Sequence, residues 1–409
     1  MSRRSVSLFR RMERALETIT GASTPLETIR QTAQFLVESF SEDLGMTGGR
    51  IWARDDAGSY ELVDTFGTVT RAPLGLKIPA DYHPFERLFE EGCVSMGLSD
   101  AGLDVSLESE IGTRDHFAAI MVADRRYALS FDVAPDKATS DDLIAILNIV
   151  RLAINQKVRE ERMYEILEEA RRIQESILPS RIPHYEGFDM AARTVPAEVV
   201  GGDFYDFITL TDMTVNIVIA DATGHGLPAA LQVRDVYTGL RMGLSREFKV
   251  TRTLERLNSI IHRSRLATKF VSLFLAELQV GGGVVYCNAG HPPGLLVRQD
   301  GTVEQLSTGG MILGPVPNSR YCFDLFHMAP HDFFVLYTDG ITEAHRPGTD
   351  EEFSLMRLER LVRQLHSKPA AAIIDAIFDA VSEFTNGSPP EDDQTVVVVR
   401  RTGPTGAST

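Results

Sequence analysis

Hydrophobic and polar positions divide the chain into three stretches of different period. In residues 1–140 helical and strand-like patterns alternate. Leu8, Met12, Leu16 and Ile19 recur at helical spacing and predict a helix over roughly 7–20, with a second over roughly 25–41. "GRIWARD", "SYELVDTFG" and "RRYALSFDV" read as short strands. Between the last two lies "KIPADYHPFERLFEEGCVSMGLSDAGLD", which reads as a loop-rich insertion able to cap a pocket.

Residues 141–178 contain neither Gly nor Pro and are dense in helix formers, and Pro179 ends the run. Leu143, Leu147, Val150 and Ile154 form one apolar seam; Ile166, Ala170, Ile173 and Ile177 form a second. The phase breaks between them, around "KVREERMY". The expectation is a helical linker over 141–180. It could pack on its own domains or pair with a second copy as a short coiled coil; the narrow seams favour a homodimer, with Ile166, Ile173 and Ile177 as the regulatory positions.

From 181 to 402 short strands recur, among them "TVNIVIAD", "FVSLFLAELQV", "FFVLYTD" and "TVVVVR", with a "GGG" hairpin turn at 281–283. Helical patterns interrupt them near 226–243, 251–264, 355–365 and 369–385. The whole chain therefore reads as α+β, with domains at 1–140 and 181–402 around the linker. The tail 403–409 is rich in Gly, Ser and Thr and reads as disordered.

Composition narrows the function. The net charge of −16 argues against nucleic acid as a partner. Three scattered cysteines offer no metal spacing and fit a reducing cytoplasm. No segment approaches a membrane span, and the basic N-terminus lacks the apolar core of a secretory signal.

The chemistry lies in acids at strand ends. Asp221 closes "NIVIAD", Asp339 closes "FFVLYTD", Asp203 follows Gly201 and Gly202, and Glu391, Asp392 and Asp393 precede "QTVVVVR". Taken singly, each Asp reads as a helix cap or turn residue. Taken together, several carboxylates with no Lys or Arg beside them repel one another. Such hard oxygen donors are stable around a divalent cation. Gly202, Gly224, Gly226 and Gly340 leave room for carbonyls and waters. Other signals fail: "GGDFYD" lacks the Glu-Phe of a diguanylate cyclase, "DATGHG" lacks the end of a P-loop, His225 and His291 stand alone, and there is no G-x-S-x-G elbow.

In order, "PAEVVGGDFYDF", "IADATGHGLPAAL", "YCNAGHPPGLL", "LYTDGITEA" and "EDDQTVVVVR" resemble the metal-dependent protein phosphatase (PPM) superfamily, in its bacterial SpoIIE/RsbU-like branch, over about residues 165–401. "ARRIQESILPSRIP" is similar to that branch's helical lead-in. The resemblance implies an α-β-β-α sandwich with two divalent ions, Mn²⁺ or Mg²⁺, at one end. It implies that Asp203 and Asp221 hold the metals, Asp221 bridging them, and that the Ala222 carbonyl adds a ligand despite "DATGHG" replacing the usual "DVSGHG". Asp339 would ligate the second ion, and Asp392, with Asp393 in reserve, would be the last acid. Water activated between the ions would attack phosphorus in line. Arg193 is the one candidate for the phosphate-binding arginine of eukaryotic relatives.

The N-terminal region resembles a GAF domain, which implies a small-molecule sensor or dimerisation module. The branch implies a phosphoserine or phosphothreonine substrate on a STAS-type anti-sigma-factor antagonist. Two readings compete with a regulated phosphatase: a pseudophosphatase scaffold and a nucleotide phosphohydrolase.

Overall fold

A computed structural model describes residues 24–69, 73–138, 141–224, 226–244, 250–264 and 270–402. The expected helix at 7–20, His225 and the tail at 403–409 lie outside them. The chain forms two compact units, 1–165 and 166–409.

In the first unit, helix α1 (Pro25–Leu44) starts on Thr24, whose side chain accepts the Glu27 N–H, and stops at Gly45 in a left-handed conformation. Then come β1 (Met46–Arg54), β2 (Tyr60–Gly67), β3 (Lys77–Ile78), α2 (His83–Glu91), β4 (Cys93–Gly97), α3 (Val105–Ile111), β5 (His116–Val122), β6 (Tyr127–Val133) and the short α4 (Pro135–Ala138). The strands make one antiparallel sheet in the order β3-β2-β1-β6-β5-β4. The stretch expected to be loop therefore contributes β3, α2 and β4, and α3 begins directly after it. β5 also escaped the sequence pattern. All but its first residue are buried, so it lacks the alternation of a half-exposed strand.

Helix α5 (Asp141–Glu175) runs unbroken through the expected phase break. Its first seam is not free for a partner. Leu143, Leu147, Val150 and Ile154 are buried with Ile29, Leu36, Leu129 and Phe131 in the core on one sheet face. Each contributes roughly 1.5–3 kcal/mol there. The second seam is divided. Ile166 and Ile173 are exposed, whereas Ile177 packs on the core of the second unit, beside Leu178.

The second unit has β7 (Phe188–Val195), β8 (Asp203–Thr211), β9 (Thr214–Ala222), α6 (Leu227–Leu244), α7 (Val250–Arg263), β10 (Val271–Gln279), β11 (Gly283–Ala289), β12 (Gly294–Val297), β13 (Val303–Leu306), β14 (Gly309–Gly310), β15 (Asp324–His327), β16 (Phe333–Tyr337), α8 (Asp339–Thr342), α9 (Leu355–Arg363), α10 (Ala370–Phe384) and β17 (Gln394–Arg401). One sheet runs β14-β11-β10-β9-β8, with β15 on β11; the other runs β13-β12-β16-β17-β7. Both faces of the central strands β9, β10, β16 and β17 are buried. In β17, Val397 and Val399 meet Phe274 and Ile219 between the sheets, while Val396 and Val398 meet Ile373 and Ile377 of α10. Helices α6 and α7 cover the other sheet through Val233, Val236, Leu254 and Leu257. The layering is helix, sheet, sheet, helix, as expected. Among the described residues no helix is long and apolar enough to cross a membrane.

Candidate active site

Asp203 opens β8 and Asp221 nearly closes β9, and the two stand directly opposite each other in the antiparallel ladder. Like charges so placed repel. Asp221 has the parity of Ile217 and Ile219, which lie in the core between the sheets, so this acidic pair belongs to the inner face at one end of the sandwich. Ser272 is next across the ladder, opposite Asp221, and its hydroxyl lies 2.7 Å from His291 Nδ1. His291 is buried, which pulls its pKa down to about 3 and keeps it neutral. Asn288 clasps its backbone at both N–H and C=O. His291 thus has the structural setting of a lone histidine.

The opposite sheet supplies the remaining acids. Asp339 begins α8 immediately after β16, while Asp392 and Asp393 precede β17. These two adjacent acids differ. Asp393 is buried and accepts the N–H groups of Ala197 (2.8 Å), Gly202 (2.5 Å) and Asp203 (3.4 Å), so it holds the loop that delivers Asp203. Asp392 is exposed and accepts the Asp393 N–H at 2.8 Å.

Thr338, which the sequence reading missed, joins the two sheets. Its buried hydroxyl lies 2.7 Å from Asp203 Oδ2 and accepts the Thr395 N–H at 2.9 Å. Its signal was a polar residue ending an otherwise apolar strand. Gln174 was missed too. From the last turn of α5 it donates to the Gly201 carbonyl (2.6 Å) and accepts the Gly201 N–H (3.1 Å). Behind the site, buried Asp206 pairs with Arg241 at 2.7 Å and braces β8 against α6.

Burial first, then mutual repulsion, raises these carboxyl pKa values. Asp203 is well above the ordinary range, with Asp221 and Asp393 adding to desolvation. Asp221 is pushed up to about 7 by burial and by Asp339, Asp392 and Asp393. Asp339 is raised by burial and Asp392. The acids therefore share one field without a basic partner among the described residues. They do not form a finished ligand cage: among the described residues no three His, Cys, Asp or Glu side chains are gathered closely enough to hold an ion. Thr338 and the 197–203 amides draw Asp203 and Asp393 toward themselves.

The donor chemistry nevertheless fits a hard cation. A Cβ on Gly202 would stand 2.6 Å from the Ala222 carbonyl oxygen, 3.1 Å from that of Gly224 and 3.4 Å from Asp221 Oδ1. Three oxygens thus face a space that only glycine leaves open. Arg193 is not in the site; it pairs with Asp375 and lies over the Phe378 ring at 5.1 Å, both on α10.

Paired sheets between helix layers are closed at one end by acids that have no basic partner among the described residues. Residues 211–402 match the family model described as Stage II sporulation protein E (SpoIIE). Phosphoserine phosphatase RsbU of Bacillus subtilis is 29% identical over 252 residues, covering 61% of this chain and 72% of RsbU. Protein IcfG of Synechocystis sp. is 28% identical over 315 residues, covering 67% of this chain but 48% of IcfG. In fold, the SiaA-PP2C domain of Pseudomonas aeruginosa matches with a TM-score of 0.53 at 22% identity, over 59% of this chain and 98% of that domain. The homologues place the enzyme class as protein serine/threonine phosphatase.

Proposed function

We propose that the chain hydrolyses phosphoserine or phosphothreonine on a STAS-type protein in the cytoplasm, using two divalent ions and under control of its N-terminal unit. The observation that carries the chemistry is the group of acids at the sandwich end, which lie in one another's field with no cation among them. Asp203, Asp221, the Ala222 carbonyl, Asp339 and Asp392 would hold Mn²⁺ or Mg²⁺. Asp392 is preferred to Asp393 because both Asp393 oxygens already serve backbone amides. When bound, the ions supply a water of lowered pKa and neutralise phosphoryl charge. Thr338 orients Asp203, and Asp393 fixes the loop before it. RsbU, named a phosphoserine phosphatase, supports the substrate class.

The control reading rests on the N-terminal unit and α5. The unit is read as GAF-like. It has an apolar pocket of about 40 Å³ walled by Trp52, Tyr82, Phe85 and Phe117, with the buried Glu108 at its edge. Gln174 connects α5 to Gly201, two residues before Asp203. Exposed Met163, Ile166 and Ile173 on that helix suit a homodimer. Ile177 does not belong to that surface, because it is part of the phosphatase core.

The test is hydrolysis of a phosphoserine peptide, a nucleoside triphosphate and an aryl phosphate with Mn²⁺, Mg²⁺ or EDTA. Turnover of the peptide that survives exhaustive chelation contradicts the metal reading. Preference for the nucleotide contradicts the protein substrate.

A further inference from the structure

The N-terminal unit has a second cavity, separate from the aromatic pocket, where α2, the β5–β6 turn and α5 meet. Its volume is about 340 Å³, within the range of small-molecule sites. Three arginines line it: Arg125 from the turn, and Arg151 and Arg159, about two turns apart, from α5.

They are held differently. Arg151 lies beneath Gly92, the left-handed residue that ends α2; a Cβ there would come within 2.4 Å of its Nη1. Its Nε is buried and has no hydrogen-bond partner. A buried donor left unpaired is costly and marks a place where an acceptor would be gained. Arg125 lies 3.8 Å from the centre of the Phe89 ring and forms no ion pair among the described residues. Arg159 pairs with Asp124 at 3.1 Å on the rim, where both are exposed.

The turn that presents Arg125 is unusual. Ala123, Asp124 and Arg125 all have positive φ, of 53°, 50° and 70°, and none is glycine. Residues with Cβ atoms resist that conformation. Asn155 of α5 helps hold the turn by accepting the Ala123 N–H at 2.6 Å. Three acids, Glu90, Glu91 and Asp124, also line the cavity; Glu91 is paired with Arg87 and Asp124 with Arg159, which leaves Glu90 against Arg125 and Arg151 and one positive charge in excess among these described residues.

We propose that this cavity binds a small phosphorylated ligand, with the guanidinium forks of Arg151 and Arg125 on its phosphate oxygens and Arg159 at the mouth. Planar forks match phosphate in two parallel hydrogen bonds, which a lysine cannot do. Such a ligand would tie the β5–β6 turn and the end of α2 to α5. It is independent of the phosphatase chemistry.

Isothermal titration of the full chain with pyrophosphate, in EDTA, tests this. Without metal the acidic site at the sandwich end repels the probe. The expected result is one-to-one binding with a dissociation constant below about 1 mM, weakened at least about tenfold by Arg151→Lys and by Arg125→Gln. Arg151→Lys keeps the charge and removes only the fork; Arg125→Gln lies on an exposed turn and decides alone if the first variant melts early. Hydrogen exchange should slow at 121–126 and around Arg151 in the presence of pyrophosphate. Absence of binding by the parent chain, or equal binding by a folded Arg125→Gln variant, overturns the proposal.

Discussion

Gly202→Ala should damage the active site while leaving every acid in place. The new Cβ would stand 2.6 Å from the Ala222 carbonyl oxygen. A relaxed C···O contact is roughly 3.3 Å, so that oxygen must retreat by about 0.7 Å. It cannot do so freely, because the Ala222 N–H donates to the Gly202 carbonyl at 3.0 Å and Asp203 pairs with Asp221 alongside. Overpacking of this kind costs about 1–3 kcal/mol of stability. A catalytic displacement of about 1 Å costs on the order of a hundredfold in rate, so kcat/KM should fall between about tenfold and a hundredfold. The assay is aryl phosphate hydrolysis against Mn²⁺ concentration, with thermal melting in parallel. The metal response should move to higher concentration. Gly281→Ala is the control, since nothing lies within 4 Å of its added Cβ. Parent-like kcat/KM and metal response in Gly202→Ala would refute the reasoning.

Thr338→Val removes the donor to Asp203 and the acceptor for the Thr395 N–H, so urea unfolding should show a loss of about 1–3 kcal/mol; an unchanged midpoint contradicts it. Asp393→Ala should lower the melting temperature by releasing the 197–203 amides, whereas Asp392→Ala should abolish metal-dependent turnover with little effect on melting. The reverse pattern would exchange their roles. In EDTA, stability should fall as pH rises from about 4 to about 7. The folded Asp221 pKa, about 7, lies above its ordinary value of 3.8, so the folded state binds more protons in that window and raising pH favours unfolding. Chemical denaturation at pH 5 and pH 7.5 measures it, and greater stability at the higher pH contradicts it.

Much of this architecture was legible because period and punctuation agreed. The strands carrying Asp221 and Asp339 end in acids after long apolar runs, and β17 announces itself by β-branching alone. β5 was not legible, because a strand buried on both faces looks like any short apolar run. Helix α5 misled in another way. Its seams have coiled-coil spacing, yet Leu143 through Ile154 face a sheet, and spacing does not record what a helix packs against. The acids of the site could be named from sequence, but not their division of labour. Asp392 and Asp393 are adjacent and identical in type. Only the backbone amides that reach Asp393 set them apart, and those come from almost two hundred residues earlier in the chain. Thr338 likewise acts on Asp203, 135 residues earlier, and Gln174 on Gly201, 27 residues later.

The stitching of Asp393 and Thr338 across the two sheets also sets a schedule. Asp203 emerges early in the second unit, while its partners on β16 and beside β17 are made last. Until β17 has paired with β7 and β16, Asp393 cannot grip the 197–203 loop and Thr338 cannot reach its place between Asp203 and Thr395. A ribosome-bound chain carrying one finished sheet thus displays isolated aspartates and no joined centre. The proposed centre stays unassembled until β17 has been made and paired, and proteolytic loss of a few residues around Gln394 would take it apart again.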